Sequence, residues 1–188
     1  YMQEAGVWHV DGVNGDDGND GLSQATAFKT IQHAVSEAVN EDTIMVWPAV
    51  YSGSINYSGK KITIQGATGG EVITNPGGNG VGFANGEDST AVLSNFIIKG
   101  CTRGIYVSGA APRLQLLTIT GCGTGISSRD SAPDVSSCIF LANESDVSGC
   151  TANYSRLASE AGVGNISDEP LFADADRKST RLNSSHRI

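Results

Sequence analysis

Two stretches decide the fold: Leu93-Ser-Asn-Phe-Ile-Ile-Lys-Gly-Cys-Thr-Arg-Gly-Ile105 and Leu114-Gln-Leu-Leu-Thr-Ile-Thr-Gly-Cys-Gly-Thr-Gly-Ile126. Laid over one another without a gap, they match at a displacement of 21: Leu93 on Leu114, Phe96 on Leu117, Ile98 on Ile119, Gly100 on Gly121, Cys101 on Cys122, Gly104 on Gly125 and Ile105 on Ile126. A third copy continues through Val135, Cys138, Phe140, Asn143 and Val147, and Ala111-Pro112 recurs as Ala132-Pro133. Within each copy apolar residues alternate over short runs, as they do on strands, and Gly or Pro punctuates between them. A unit of this length cannot hold two helices. Short strands stacked coil on coil make a parallel β-solenoid, with equivalent residues about 4.8 Å apart up the stack. The predicted ladders are Phe96–Leu117–Cys138 and Ile98–Ile119–Phe140 inside, and Cys101–Cys122–Asn143 at a turn. Upstream, Ile62, Ile64, Val72, Ile73, Val81 and Phe83 suggest further coils whose register is lost.

Composition agrees with this reading. The chain has 188 residues, 24 of them Gly, with 6% aromatics and 39% hydrophobic residues. That is too apolar for a disordered tail and too aperiodic in Gly for collagen. No apolar run approaches the length of a membrane span. A net charge of −8 argues against a nucleic-acid partner, which would need clustered Lys and Arg.

A solenoid exposes core and strand edge at an open end, so a cap is expected. Thr26 to Val39 supplies it: Phe28, Ile31, Val35 and Ala38 form an apolar helical stripe, with Ser23 or Thr26 as N-cap. Thr43-Ile-Met-Val46 follows as the first buried strand. The expected organisation is one domain over 1–175, with the cap at about 1–41, coils at about 42–158 and a truncated closing segment at 159–175. No leader precedes Trp8 in the sequence, so the expectation is either a removed secretion signal or a missing N-terminus. Asp176 to His186, Asp-Arg-Lys-Ser-Thr-Arg-Leu-Asn-Ser-Ser-His, reads as the translation of a widely used sequencing adapter, so 176–188 is expected to be an artefact. Without it the net charge over 1–175 becomes −11, and the chain is expected to be a fragment.

Four segments carry a resemblance: Trp8-His-Val10; Asn14-Gly-Asp-Asp-Gly-Asn-Asp-Gly21; Ala25-Thr-Ala-Phe-Lys-Thr-Ile-Gln32; and Asp42-Thr-Ile-Met-Val46 running to Tyr51. With the later Asn153-Tyr-Ser155, Gly164-Asn-Ile-Ser167 and Pro170-Leu-Phe172, they resemble bacterial secreted right-handed parallel β-helix proteins of the pectate-lyase-like superfamily. Relatives usually carry Asp before Pro-Leu-Phe, where this chain has Glu169. The resemblance implies an all-β right-handed β-helix with a short N-terminal capping helix, secreted or at the cell surface. It also implies a polysaccharide or cell-surface glycan as partner, and a monomer is expected.

Chemistry is harder to place. Asp16, Asp17, Asn19 and Asp20 offer the hard oxygens that Ca²⁺ takes, but the loop fails the EF-hand pattern: Gly18 and Ala27 stand at its third and twelfth positions. The alternative is an Asx- and Gly-rich turn leading to the helix. A lyase would need a base, for which Lys99, Arg103 and Arg129 are candidates, beside carboxylates stacked across coils. In register, however, Asp130 falls over Gly109, Glu144 over Gly123 and Asp146 over Gly125, so no acidic ladder forms. Arg113 and Asp134, 21 apart, put opposite charges on adjacent rungs. His9 and His33 are too scattered for a metal set, and the spacing of Cys101, Cys122, Cys138 and Cys150 fits no zinc motif. Cys101 and Cys122 share a turn on neighbouring rungs, as a disulfide or as stacked free thiols. Thr118 and Thr120 make an isolated Thr-x-Thr that no neighbouring rung repeats. The catalytic residues are unassigned. The reading is a glycan-associated module without evident catalysis; the alternative is a polysaccharide lyase or glycoside hydrolase.

Overall fold

Alternation along the chain drives one side chain in two to the inside, and the coil closes around them. The computed structural model describes residues 5–158 and 162–167. Preceding the coils is β1 (Val7–Val10). The first coil carries β2 (Thr43–Val46), β3 (Val50–Ser52) and β4 (Ile55–Asn56); the second β5 (Thr63–Gly66), β6 (Val72–Thr74) and β7 (Asn79–Phe83). The third holds β8 (Val92–Ser94), β9 (Ile97–Lys99) and β10 (Arg103–Ser108). β11 (Arg113–Gln115), β12 (Thr118–Thr120) and β13 (Thr124–Arg129) make the fourth. β14 (Asp134–Ser136), β15 (Ile139–Leu141) and β16 (Ser145–Ser148) make the fifth, and β17 (Ala152–Asn153) begins another turn.

The strands stack into three all-parallel sheets. The first runs β1-β2-β5-β8-β11-β14-β17, the second β3-β6-β9-β12-β15 and the third β4-β7-β10-β13-β16. This is the parallel β-helix that the repeat predicts. The pairings Leu93–Leu114–Val135, Ile98–Ile119–Phe140 and Ile105–Ile126–Val147 all follow the displacement of 21. Ile44, Ile64, Leu93 and Leu114 are sealed from solvent in the first sheet, as are Ile73, Ile98, Ile119 and Phe140 in the second. Burial of each such side chain contributes about 1.5–3 kcal/mol. The lost register upstream is recovered at unequal displacements: Ile44 pairs with Ile64 at a displacement of 20, and Ile64 with Leu93 at a displacement of 29.

Each coil turns its corners through left-handed backbone. One corner stacks Asn95, Leu116 and Ser137 at φ of 65°, 55° and 55°; the next stacks Gly100, Gly121 and Ala142 at 65°, 62° and 51°. The left-handed region costs an L residue about 1–2 kcal/mol, which is why Gly recurs at the second corner.

The cap differs from its prediction. The helix is only α1 (Ile31–Glu37), with Thr30 as N-cap accepting the His33 N–H; Ser23 instead caps a separate 3₁₀ turn at Gln24–Thr26. Between them Phe28 is extended and bridges Val10, because Asp17 takes the N–H groups of Lys29 and Thr30 that a longer helix would use. Of the predicted stripe, Ile31 and Val35 are buried on the helix, joined there by Ala34, while Phe28 and Ala38 are buried just outside its ends. The Lys60 ammonium closes the far end, donating to the carbonyls of Val35, Ser36 and Ala38 at 2.6, 2.8 and 2.6 Å. The Pro170-Leu-Phe172 segment and residues 176–188 lie outside the described residues.

Candidate functional site

A β-helix presents its function on the outward positions of its sheets, and here three such faces run along the stack. On the second sheet Val50, Val72, Ile97, Thr118 and Ile139 form one outward row and Ser52, Thr74, Lys99, Thr120 and Leu141 the other. The first of these rows is aliphatic except at Thr118. On the first sheet, Thr43, Thr63, Val92, Arg113 and Asp134 share a row, and Arg113 Nε meets Asp134 Oδ2 at 3.4 Å, the predicted cross-rung pair. Both partners are half-exposed, so the pair is worth only tenths of a kcal/mol.

The third sheet differs. Ile105 and Val107 point inward and are fully buried, so alternation turns Tyr106 and Ser108 outward. Ahead of them, Gly80, Gly104 and Gly125 stack so closely that a Cβ on Gly104 would lie 2.6 Å from the Gly125 carbonyl oxygen. Only Gly fits there, and the residue before each faces outward. Asn79, Arg103, Thr124 and Ser145 therefore form one row; Gly82, Tyr106, Ser127 and Ser148 form the next; Ser108 stands beside Arg129. Arg103 Nη1 donates to Asn79 Oδ1 at 3.4 Å, and its guanidinium lies 5.4 Å from the Tyr106 ring centroid. A cation over an aromatic face is held by the ring quadrupole. Within its row Tyr106 is flanked by the small residues Gly82 and Ser127, so the bulky group against its ring is the Arg103 guanidinium of the neighbouring row.

These rows carry two guanidiniums, one phenol ring, hydroxyls and one amide, and no carboxylate. Such a surface can stack an apolar ring face on Tyr106 while donating and accepting hydrogen bonds alongside.

Several acidic side chains are instead tied into the scaffold. Asp42 accepts the Trp8 indole N–H at 2.8 Å and the N–H groups of Gly6 and Val39 at 2.6 and 2.9 Å. Burial would raise its pKa, but those three hydrogen bonds hold it below the usual carboxylate range. Glu71, fully buried, accepts from the Thr68 N–H and hydroxyl and from the Gly69 N–H. Glu87 accepts from the N–H groups of Gly59 and Asn85, and Asp146 from Asn143 Nδ2 and the Ala158 N–H. Sequence reasoning misses Asp42, Glu71 and Glu87 as turn-fastening acids; only the neighbouring Gly-rich turns hint at the role of the two glutamates.

In the acidic loop, Asp16 accepts from the Gly18 N–H, Asp20 from the Leu22 N–H, and Asn19 donates to the Ala27 carbonyl. Asp17 accepts from the Lys29 and Thr30 N–H groups and the Thr30 hydroxyl; burial raises its pKa and these bonds more than reverse the effect. Asp17 thus fastens the loop to the start of the capping helix, and among the described residues no three or more His, Cys, Asp or Glu converge as a metal site. Lys99 lies on the second sheet, away from Arg103 and Arg129 on the third. His9 stacks on Trp47 and His33 meets Phe28 edge-on. Cys101, Cys122, Cys138 and Cys150 are all free thiols, and Cys101 and Cys122 share a corner on adjacent rungs. No described helix is long and apolar enough to cross a membrane.

No family model matches the chain, and no curated protein or solved structure shows significant similarity to it.

Proposed function

We propose that the chain is a carbohydrate-associated β-helix module, secreted or displayed at a cell surface as a monomer, which binds glycan along its third sheet without cleaving it. The observation that carries this reading is the outward face built from Asn79, Arg103, Tyr106, Thr124, Ser127 and Arg129. It joins an outward aromatic ring to hydrogen-bonding groups on rungs about 4.8 Å apart, a spacing suited to an extended polymer. The pectate-lyase-like resemblance supports the extracellular placement and the substrate class.

The lyase or hydrolase alternative would need a carboxylate beside a candidate base. Among the described residues, the outward rows around Arg103 and Arg129 hold none. A glycan array probed with the purified chain tests the binding reading, and the ultraviolet absorbance of unsaturated uronates, followed with and without Ca²⁺ on pectin and alginate, tests the alternative. Retention of glycans with no absorbance change is the expected result. Unsaturated product would replace this reading with a lyase.

A further inference from the structure

The corner that closes the second sheet onto the third holds a pair of thiols for which the glycan-binding reading has no use. Cys101 lies between β9 and β10, and Cys122 between β12 and β13. On both sides of them the rungs are in register, Lys99 with Thr120 and Arg103 with Thr124, and the Gly123 N–H donates to the Cys101 carbonyl at 3.1 Å. The two Cα atoms are thus one rung apart, about 4.8 Å, inside the range of about 4.4–6.8 Å that a disulfide spans. The two thiols hold equivalent positions on their rungs, Cys101 donating to the Lys99 carbonyl and Cys122 to the Thr120 carbonyl, each at 3.5 Å.

The surroundings make the pairing selective. On the next rung the ladder continues with Asn143, whose Oδ1 accepts the Cys122 N–H at 2.9 Å, and on the preceding side Gly80 brings no side chain. Cys138 sits at a different corner, within reach of the Leu114 and Ser136 carbonyls. Cys150 lies beyond β16, beside Ser131–Pro133.

We propose that Cys101 and Cys122 are the site of a native disulfide that staples the third coil to the fourth. The oxidant is a small or protein disulfide. The Cys122 thiolate attacks one of its sulfurs, forming a mixed disulfide and releasing one thiol. Cys101, losing its proton, then displaces the second thiol and forms the Cys101–Cys122 bond. Two thiols of the protein are oxidised by two electrons, and one external disulfide is reduced to two thiols. Both residues are at most 4% exposed, so the exchange belongs to folding, before the corner closes.

The test refolds the full chain in oxidised and reduced glutathione, in parallel with a phosphine reductant, and alkylates the denatured products. The same count is made on protein exported to a bacterial periplasm, which covers failure of refolding in vitro. Expected is the loss of two of the four thiols, a linked peptide pair containing residues 101 and 122, and a thermal midpoint about 5–10 °C above the reduced form. Cys138→Ser and Cys150→Ser leave the link intact, whereas Cys101→Ser or Cys122→Ser abolishes it. Four alkylated thiols in the folded exported protein, or a link through Cys138 or Cys150, overturns the proposal.

Discussion

The Asp42 carboxylate accepts the indole N–H of Trp8 at 2.8 Å across 34 residues of chain, fastening the strand that precedes the coils to the entrance of the first coil. The same carboxylate takes the Gly6 and Val39 N–H groups, so it joins β1, the end of the capping segment and β2 in one junction. Asp42→Ala leaves three donors without a partner and is expected to cost about 3 kcal/mol, read as a lower urea midpoint at constant slope. Because the folded pKa of Asp42 is depressed, its contribution is complete above the unfolded value of about 4 and is lost as pH falls through the folded one. The pKa values of Asp11, held mainly by the Asn14 N–H, and of Asp17 shift the same way. Urea unfolding below about pH 4 will therefore show falling stability, and the fall will be shallower in Asp42→Asn.

Lys60 caps α1 from a neighbouring coil, with its ammonium against three terminal carbonyls. Lys60→Met keeps the aliphatic stem and removes the donors. The expected loss is about 1–2 kcal/mol, with the capping helix losing hydrogen-exchange protection before the coils do.

Leu116 is a misfit. It holds φ of 55° with 58% of its surface exposed, so it bears the cost of left-handed backbone with little burial to offset it. The rung before uses Asn95 at the same corner, and Asn tolerates that conformation far better. Leu116→Asn is expected to stabilise the protein by about 0.5–1 kcal/mol and raise the melting temperature by about 1–4 °C. A fall in melting temperature would show that the exposed Leu side chain packs more than it strains.

Ile119 stands midway in a buried ladder between Ile98 and Phe140. Ile119→Ala opens a cavity that rigid neighbouring rungs cannot fill, for an expected loss of about 2–5 kcal/mol; Thr118→Ala, one residue away on the outer face, should stay within about 0.5 kcal/mol. Equal effects would contradict the register.

Much of this architecture is legible in the sequence, for a physical reason. From Leu93 to Val147 the coils are the same length, so each core position returns at a constant displacement and the repeat is visible as sequence identity. Upstream the same stacking is built from unequal coils. The step from Ile64 to Leu93 is longer because two loops bulge from that coil, one fastened by Glu71 and the other by Glu87. A buried glutamate committed to backbone N–H groups looks, in a sequence, like any surface acid. The length of α1 departs from its expectation for a similar reason: the apolar stripe is there, but Asp17 diverts the backbone donors that would begin the helix earlier. The Arg103–Tyr106 face needs only the alternation around Ile105 and Val107 to place it outside. Its distinctness becomes visible once the outward rows are divided among three sheets.

The third sheet as a glycan-binding face is tested most directly by affinity electrophoresis of the wild-type chain, Tyr106→Ala and Thr118→Ala through gels containing the glycans retained on the array. The wild type and Thr118→Ala are expected to be retarded alike, and Tyr106→Ala, with unchanged thermal stability, to bind about tenfold more weakly. Retardation of Tyr106→Ala equal to that of the wild type would remove the third sheet as the binding face.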